Sequence, residues 1–268
     1  MGKIAFGHPG KMGDALYCLP TIKYICEKEN KKADFWTSEY CSPLKNLFEH
    51  QDYIDNFYIS PNYVLDNWGC GGQPYNVPIP IDSYDIVYQL GFRSTPDTRL
   101  DHFIAKQIGI SPTRIEPISF NVQNDMPTHI QELKKYNVDN YYVLAPRGMT
   151  SFYQTFLNFI DISDLPVIQI GGNGDFISSL SKNKYLDFTS IDFLDTLTLI
   201  KKSSGFIGLM SSQLVLANGI KHIPKIAVHD GRSWDMRHVV YSSSNFYPVN
   251  PSAQDILNII KRFNDARI

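Results

Sequence analysis

Apolar positions along the chain alternate between short runs and longer stretches at helical spacing, with Gly, Pro and Asn between them. In the first half, residues 3–7 read as a short buried strand and residues 7–13 as a glycine-rich turn, Gly-His-Pro-Gly-Lys-Met-Gly. A helix is expected over 14–29, because Leu16, Leu19, Ile22, Tyr24, Ile25 and Cys26 recur at helical spacing. Pro20 should bend that helix or begin a new turn. Further strands are expected at 33–37, 54–59, 85–90 and 117–120, and helices at 43–49 and 100–108. Between them, residues 60–82 form a Pro/Gly/Asn segment with Tyr63, Trp68 and Tyr75, long enough to suggest a functional loop.

Polar residues 121–128 read as a linker, after which the alternation starts again. Strands are expected at 141–145, 166–170, 205–209 and 225–229, with helices near 151–160, 174–181, 192–203 and 212–219. An amphipathic helix over 254–263 closes the pattern. Two successive β–α series imply two parallel sheets flanked by helices. The expectation is therefore an α/β protein of two domains, 1–125 and 126–268.

Composition narrows the function classes. A chain of 268 residues can bury two cores, and a formal net charge of −2 supplies no global basic field for nucleic acid. A local basic patch stays open. The four cysteines contain no C-x-x-C pair, so reduced thiols are expected and no metal is assigned. Without a signal peptide or an apolar stretch of about 18 residues, a cytoplasmic protein with no transmembrane segment is expected. The 13% aromatic content suits both core packing and sugar stacking.

The first strand–turn–helix carries the clearest chemistry. Gly7, Gly10 and Gly13 do not have the dinucleotide-binding spacing, and Met12 after Lys11 excludes a P-loop. The turn instead sets Asp14 near a helix start, where a carboxylate can cap the helix or act as a base. Both roles stay open on these residues alone.

Lys11-Met-Gly-Asp-Ala-Leu16, running on to Leu19-Pro20, resembles the opening of the ADP-heptose-using heptosyltransferases, glycosyltransferase family 9. The likeness continues through Trp36-Thr-Ser-Glu-Tyr40, Tyr84–Ser94, Arg99–Phe103, Val167–Gly172, Phe188-Thr-Ser190 and Phe206-Ile-Gly208. It implies a GT-B-like fold, with two Rossmann-like parallel-sheet domains facing a cleft. It also implies an inverting, metal-independent transfer from a nucleotide-sugar, ADP-linked in the family, to a glycan hydroxyl, with no cofactor. Asp14 would be the catalytic base, with His8, Lys11, Gly13, Gly91 and Arg93 on the acceptor side. Arg147, Gly171, Gly172, Thr189, Ser190, Ser211, Ser212 and Arg232 would bind the nucleotide-sugar. The chain departs from the family at Met210 and Val215, which stand where an Asp and a His are usual. Two alternatives follow: a catalytically inactive protein that binds nucleotide or glycan, or a transferase acting on protein or modified DNA.

Overall fold

The computed structural model of the protein describes residues 2–60, 76–92, 94, 96–121, 140–146, 152–172, 185–231, 239–240 and 242–266. They divide into two compact units, the expected boundary falling among residues that are not described.

The first unit holds a parallel sheet of β1 (Ile4–His8), β2 (Ala33–Thr37), β3 (Ile54–Ile59) and β4 (Ile86–Gln89), in the order β3-β2-β1-β4. The helix expected over 14–29 is two helices, α1 (Met12–Leu16) and α2 (Leu19–Glu29). Pro20 falls in the first turn of α2, where its missing N–H leaves no bond unmade. The helix expected at 43–49 is a 3-10 turn, Glu39–Leu44, that absorbs Pro43 and leads into α3 (Lys45–Glu49).

Residues paired across parallel strands share a face. Phe35 and Phe57 share one with Phe48 of α3, at ring separations of 4.6 Å from Phe35 and 5.2 Å from Phe57. Each such buried ring contributes roughly 1.5–3 kcal/mol. The other face carries polar groups on the same strands. The buried Asp34 carboxylate accepts from Asn56 Nδ2 at 2.8 Å and Tyr84 Oη at 2.9 Å, and Tyr84 Oη accepts from Trp36 Nε1 at 2.9 Å.

Residues 61–75, which include Tyr63, Trp68 and Tyr75 of the expected functional loop, lie outside the described residues. The chain returning from them is clamped by Gln89. Its side-chain amide accepts the Val77 N–H at 2.9 Å and donates to the Val77 carbonyl at 2.8 Å. Helix α4 (Leu100–Gln107) follows β4. The strand expected at 117–120 does not form. Ile118 is buried, but Pro117 has no N–H to give a ladder, and the Asn121 N–H donates to Gln51 Oε1 at 2.9 Å instead.

The second unit holds a six-stranded parallel sheet. Its strands are β5 (Tyr142–Ala145), β6 (Val167–Gln169), β7 (Tyr185–Asp187), β8 (Gly205–Gly208), β9 (Lys225–Ala227) and β10 (Asn245–Phe246). The order is β10-β9-β8-β5-β6-β7. Around it stand α5 (Tyr153–Ile162), α6 (Phe193–Lys202), α7 (Ser212–Asn218) and α8 (Ala253–Asp265). The short edge strands β7 and β10 were not anticipated, and the helix expected at 174–181 lies outside the described residues. Leu144, Phe156, Phe159, Val167, Ile207, Ile226, Ile256 and Ile260 share one core cluster. Asp192 caps α6, and Ser252 with Asp255 forms a capping box for α8. Lys225 is buried with its ammonium donating to the Ile220 carbonyl and to Ser244 Oγ; burial brings its pKa down to about 8. No described helix is long and apolar enough to cross a membrane.

Strands β5 and β8 approach closely because Gly208 has no side chain. A Cβ there would stand 2.9 Å from the Ala145 carbonyl oxygen. Gly208→Ala is expected to destabilise the protein by about 1–3 kcal/mol. Urea unfolding should show a lowered midpoint at an unchanged m value.

Candidate functional site

Each sheet has one pair of neighbouring strands from which the chain runs outward in opposite directions: β1 with β4, and β5 with β8. Loops leaving the carboxyl ends of such a pair diverge, which is where open α/β sheets bind ligands. Of the expected site residues, His8, Lys11, Gly13, Asp14 and Gly91 lie at the first point and Ser211 and Ser212 at the second.

In the first unit, β1 ends at His8 and Gly91 follows β4, the two strand ends being joined by the Leu90 N–H donating to the Gly7 carbonyl at 2.7 Å. His8 is fully buried. Its Nδ1 accepts the Gly10 N–H at 2.8 Å, which leaves the proton of the neutral ring on Nε2. Burial pulls the imidazole pKa down to about 3, so the ring stays neutral through the physiological range. Among the described residues, Nε2 has no hydrogen-bond partner. Phe92 meets the ring edge-on at 5.4 Å and lies 6.0 Å from Phe103 of α4.

Gly10 is required by the same turn. A Cβ there would come within 2.3 Å of His8 Cε1 and 3.1 Å of Asp14 Cβ, so imidazole and carboxylate-bearing side chain flank one glycine. Asp14, 5% exposed, is the third residue of α1; its Oδ2 accepts the Lys11 N–H at 3.3 Å. Lys11 is the half-buried residue before α1, and Gly13 is the second residue within it. Two buried thiols bind the surrounding backbone: Cys41 Sγ reaches the Gly10 carbonyl at 3.3 Å and Cys18 Sγ the Asp14 carbonyl at 3.5 Å. Burial, chiefly, raises both thiol pKa values, that of Cys41 to about 12, so both stay protonated donors. Arg93 lies outside the described residues.

In the second unit, Gly171, Gly172, Thr189 and Ser190 come together after the neighbouring strands β6 and β7. The Ser190 N–H donates to the Gly171 carbonyl at 2.7 Å, and the Thr189 N–H to Asp187 Oδ1 at 2.9 Å. Ser190 holds a left-handed backbone, φ 65°, a conformation that costs a non-glycine residue and recurs at ligand-binding turns. Ser211 and Ser212 follow β8 at the β5–β8 point. Both are buried: Ser211 Oγ accepts the Leu214 N–H at 3.4 Å, and Ser212 Oγ donates to Gln213 Oε1 at 3.2 Å. Met210 is half-buried beside them, whereas Val215 is a fully buried core residue of α7. Arg147 and Arg232 lie outside the described residues.

Two groups were given no site role from the sequence. Arg99 binds Asp101 through Nε at 2.6 Å and Nη2 at 2.7 Å, and Nη2 also donates to His102 Nε2 at 2.7 Å. His229 repeats the His8 turn: its Nδ1 accepts the Gly231 N–H at 3.1 Å, but its Nε2–H donates to the Tyr247 carbonyl at 3.0 Å. His8 and His229 share a His-x-Gly at the end of an expected strand, at 8–10 and 229–231.

Solved structures share this architecture from end to end. A glycosyl transferase family 9 protein from Veillonella parvula is 9% identical, with a TM-score of 0.71 over 98% of this chain and 97% of its own. The ADP-heptose LPS heptosyltransferase II of E. coli is 10% identical, with a TM-score of 0.65 over 97% of this chain and 98% of its own. The chain has the GT-B fold. No family model and no curated protein matches it by sequence. The fold also carries other chemistry: the UDP-GlcNAc 2-epimerase of Methanocaldococcus jannaschii is 14% identical, with a TM-score of 0.54 over 97% of this chain and 92% of its own.

His8 makes stability depend on pH in a defined window. Between about pH 3 and the ordinary imidazole value of 6.5, the unfolded chain holds a proton that the folded chain excludes. Stability is therefore lost as pH falls through that window, by up to about 1.4 kcal/mol per pH unit. Unfolding free energy measured from pH 6.5 to 4 should fall more steeply for the wild type than for His8→Asn. At Ser190, exchange to Gly should leave stability within about 1 kcal/mol of wild type, whereas Ser190→Val should cost about 1–2 kcal/mol; thermal melts distinguish the two.

Proposed function

We propose that the protein is an inverting, metal-independent glycosyltransferase that moves a sugar from a nucleotide-sugar, ADP-linked by preference, to a glycan hydroxyl in the cytoplasm. The observation that carries this reading is the buried Asp14 carboxylate beside the β1–β4 point, held by the Lys11 N–H in a loop that Gly10 keeps open. A carboxylate so placed has the reach and the fixed position a general base needs. Asp14 takes the proton of the acceptor hydroxyl as that oxygen forms a bond to the anomeric carbon. The anomeric carbon–oxygen bond to the diphosphate breaks on the opposite face, and its electron pair leaves with the nucleoside diphosphate.

His8, Lys11, Gly13, Gly91 and Arg93 line the acceptor side in this reading. The donor lies at the second sheet, against the paired turns at Gly171-Gly172 and Thr189-Ser190. Arg147 and Arg232 supply positive charge for the departing diphosphate. Ser211 and Ser212 contribute through the start of α7, whose first turn their hydroxyls already organise. Support for the donor class comes from the heptosyltransferase of like fold, whose name includes ADP-heptose. Met210, without a carboxylate at the β5–β8 point, favours a second reading: a protein that binds nucleotide or glycan and has lost transfer.

Thermal-shift measurements with nucleoside diphosphates and nucleotide-sugars separate these readings from a protein with no donor site. A ligand at about 100 times its Kd adds roughly 2.7 kcal/mol to stability. Asp14→Asn is expected to lower turnover at least about 100-fold while the nucleotide shift persists. Undiminished turnover in that variant would remove Asp14 from the mechanism, and a nucleotide shift without transfer to any acceptor would select the second reading.

A further inference from the structure

A buried N–H without a partner is unusual in a folded protein, because the water it gave up is not replaced. Among the described residues, His8 Nε2 is such a group, as are the amide nitrogens of Gln107 and Asn218; of the three, His8 is the one whose side chain meets that of Asp14 at Gly10. The repeated turn in the second unit shows that the geometry does not require it. His229 also ends a strand region, also accepts the N–H of a glycine two residues on, and nevertheless spends its Nε2–H on the Tyr247 carbonyl. The two imidazoles thus have the same fixed tautomer, one saturated and one with a donor to spare.

The ring that carries this donor and the side chain of Asp14 meet at Gly10. His8 Cε1 and Asp14 Cβ approach the same vacant point beside Gly10, at 2.3 and 3.1 Å from where a Cβ would be. The neutral imidazole offers an N–H donor and no positive charge, and the carboxylate offers an acceptor. Together they are complementary to a pair of neighbouring hydroxyls. One gives its proton to Asp14, and the oxygen of the other accepts from His8.

We propose that His8 is a substrate-binding residue whose Nε2–H donates to one hydroxyl oxygen of a vicinal diol on the acceptor saccharide, while Asp14 receives the proton of the adjacent hydroxyl. This rests on the reading of the first unit as the acceptor side. Because Nε2 is enclosed, the contact requires a neighbouring side chain to turn aside. The inference adds a selectivity to the acceptor: sugars with a cis or trans diol at the reacting position are taken, and those with an isolated hydroxyl are not.

The decisive observable is the His8 ring itself, followed by long-range ¹H–¹⁵N NMR on the wild-type protein and assigned by its loss in His8→Asn. The asparagine oxygen replaces Nδ1 as acceptor of the Gly10 N–H and supplies nothing at Nε2. The probes are methyl hexopyranosides and methyl heptopyranosides, with a 2-methoxytetrahydropyran bearing one hydroxyl as the control without a diol and ADP as the donor-side control. A shift of the Nε2–H resonance with a glycoside, but with neither control, is the expected result. No response to any glycoside, or an equal response to ADP or to the diol-free ring, overturns the proposal.

Turnover is read separately. Where transfer is observed, His8→Asn should raise the acceptor KM roughly three- to tenfold with kcat within about twofold of wild type. An unchanged KM reduces His8 to a turn-forming residue. A ring response without any transfer keeps the diol contact and removes the glycosyltransferase reading, so the two fail in different experiments.

Discussion

Parallel pairing is the constraint from which the rest of the molecule follows. A strand cannot be joined to a parallel neighbour by a hairpin; the chain must cross back over the sheet, in practice with one hand. A chain that lays down β1, β2 and β3 outward and then places β4 on the other side of β1 has to part its loops above β1 and β4. The second sheet does the same around β5 and β8. Every described residue singled out for chemistry follows a strand's carboxyl end. The glycines mark where the backbone must come close: Gly208 against Ala145, and Gly10 between His8 and Asp14.

Several buried polar groups are fully bonded, whereas among the described residues His8 Nε2 shares its lack of a partner with side-chain atoms of Thr21, Ser38, Gln107 and Asn218. Asp34 is satisfied by an amide and a phenol, Lys225 by a carbonyl and a hydroxyl, His229 by a carbonyl and a backbone N–H. None of these needs an oppositely charged partner to account for its bonds, so their role is to fix geometry rather than to hold ion pairs. Compared with His229, the imidazole of His8 differs in only one atom, the unbonded Nε2.

Much of this was legible in the sequence because periodicity reports burial directly. Central strands such as β1 and β5 are largely apolar and buried on both faces and bounded by turn residues, and they were located to within a residue or so. The failures share a physical cause. Residues 117–120 carry β-like residues, but strand formation depends on a partner with free ladder groups, which Pro117 cannot meet and a local window does not reveal. The edge strands β7 and β10 are too short to show a period. The Gly171–Ser190 and His8–Asp14 groupings were reached through resemblance, since sequence separation hides which turns meet. The orphan nitrogen of His8 depends on which atoms surround one ring, and no pattern of residue types encodes that.

The clamp on the returning chain has an evolutionary consequence. Ser60 Oγ donates to the Pro78 carbonyl at 2.8 Å, and the Gln89 amide holds Val77, so the two ends of the intervening stretch are tied together by groups that belong to the sheet. Closing a longer chain between ends already fixed costs only about 0.6 kcal/mol for each doubling of its length. Both ties are made by residues outside the intervening stretch, so neither depends on its length. That stretch is a position where descendants of this chain can lengthen, shorten or rewrite sequence while the scaffold that aligns Asp14 is inherited unchanged.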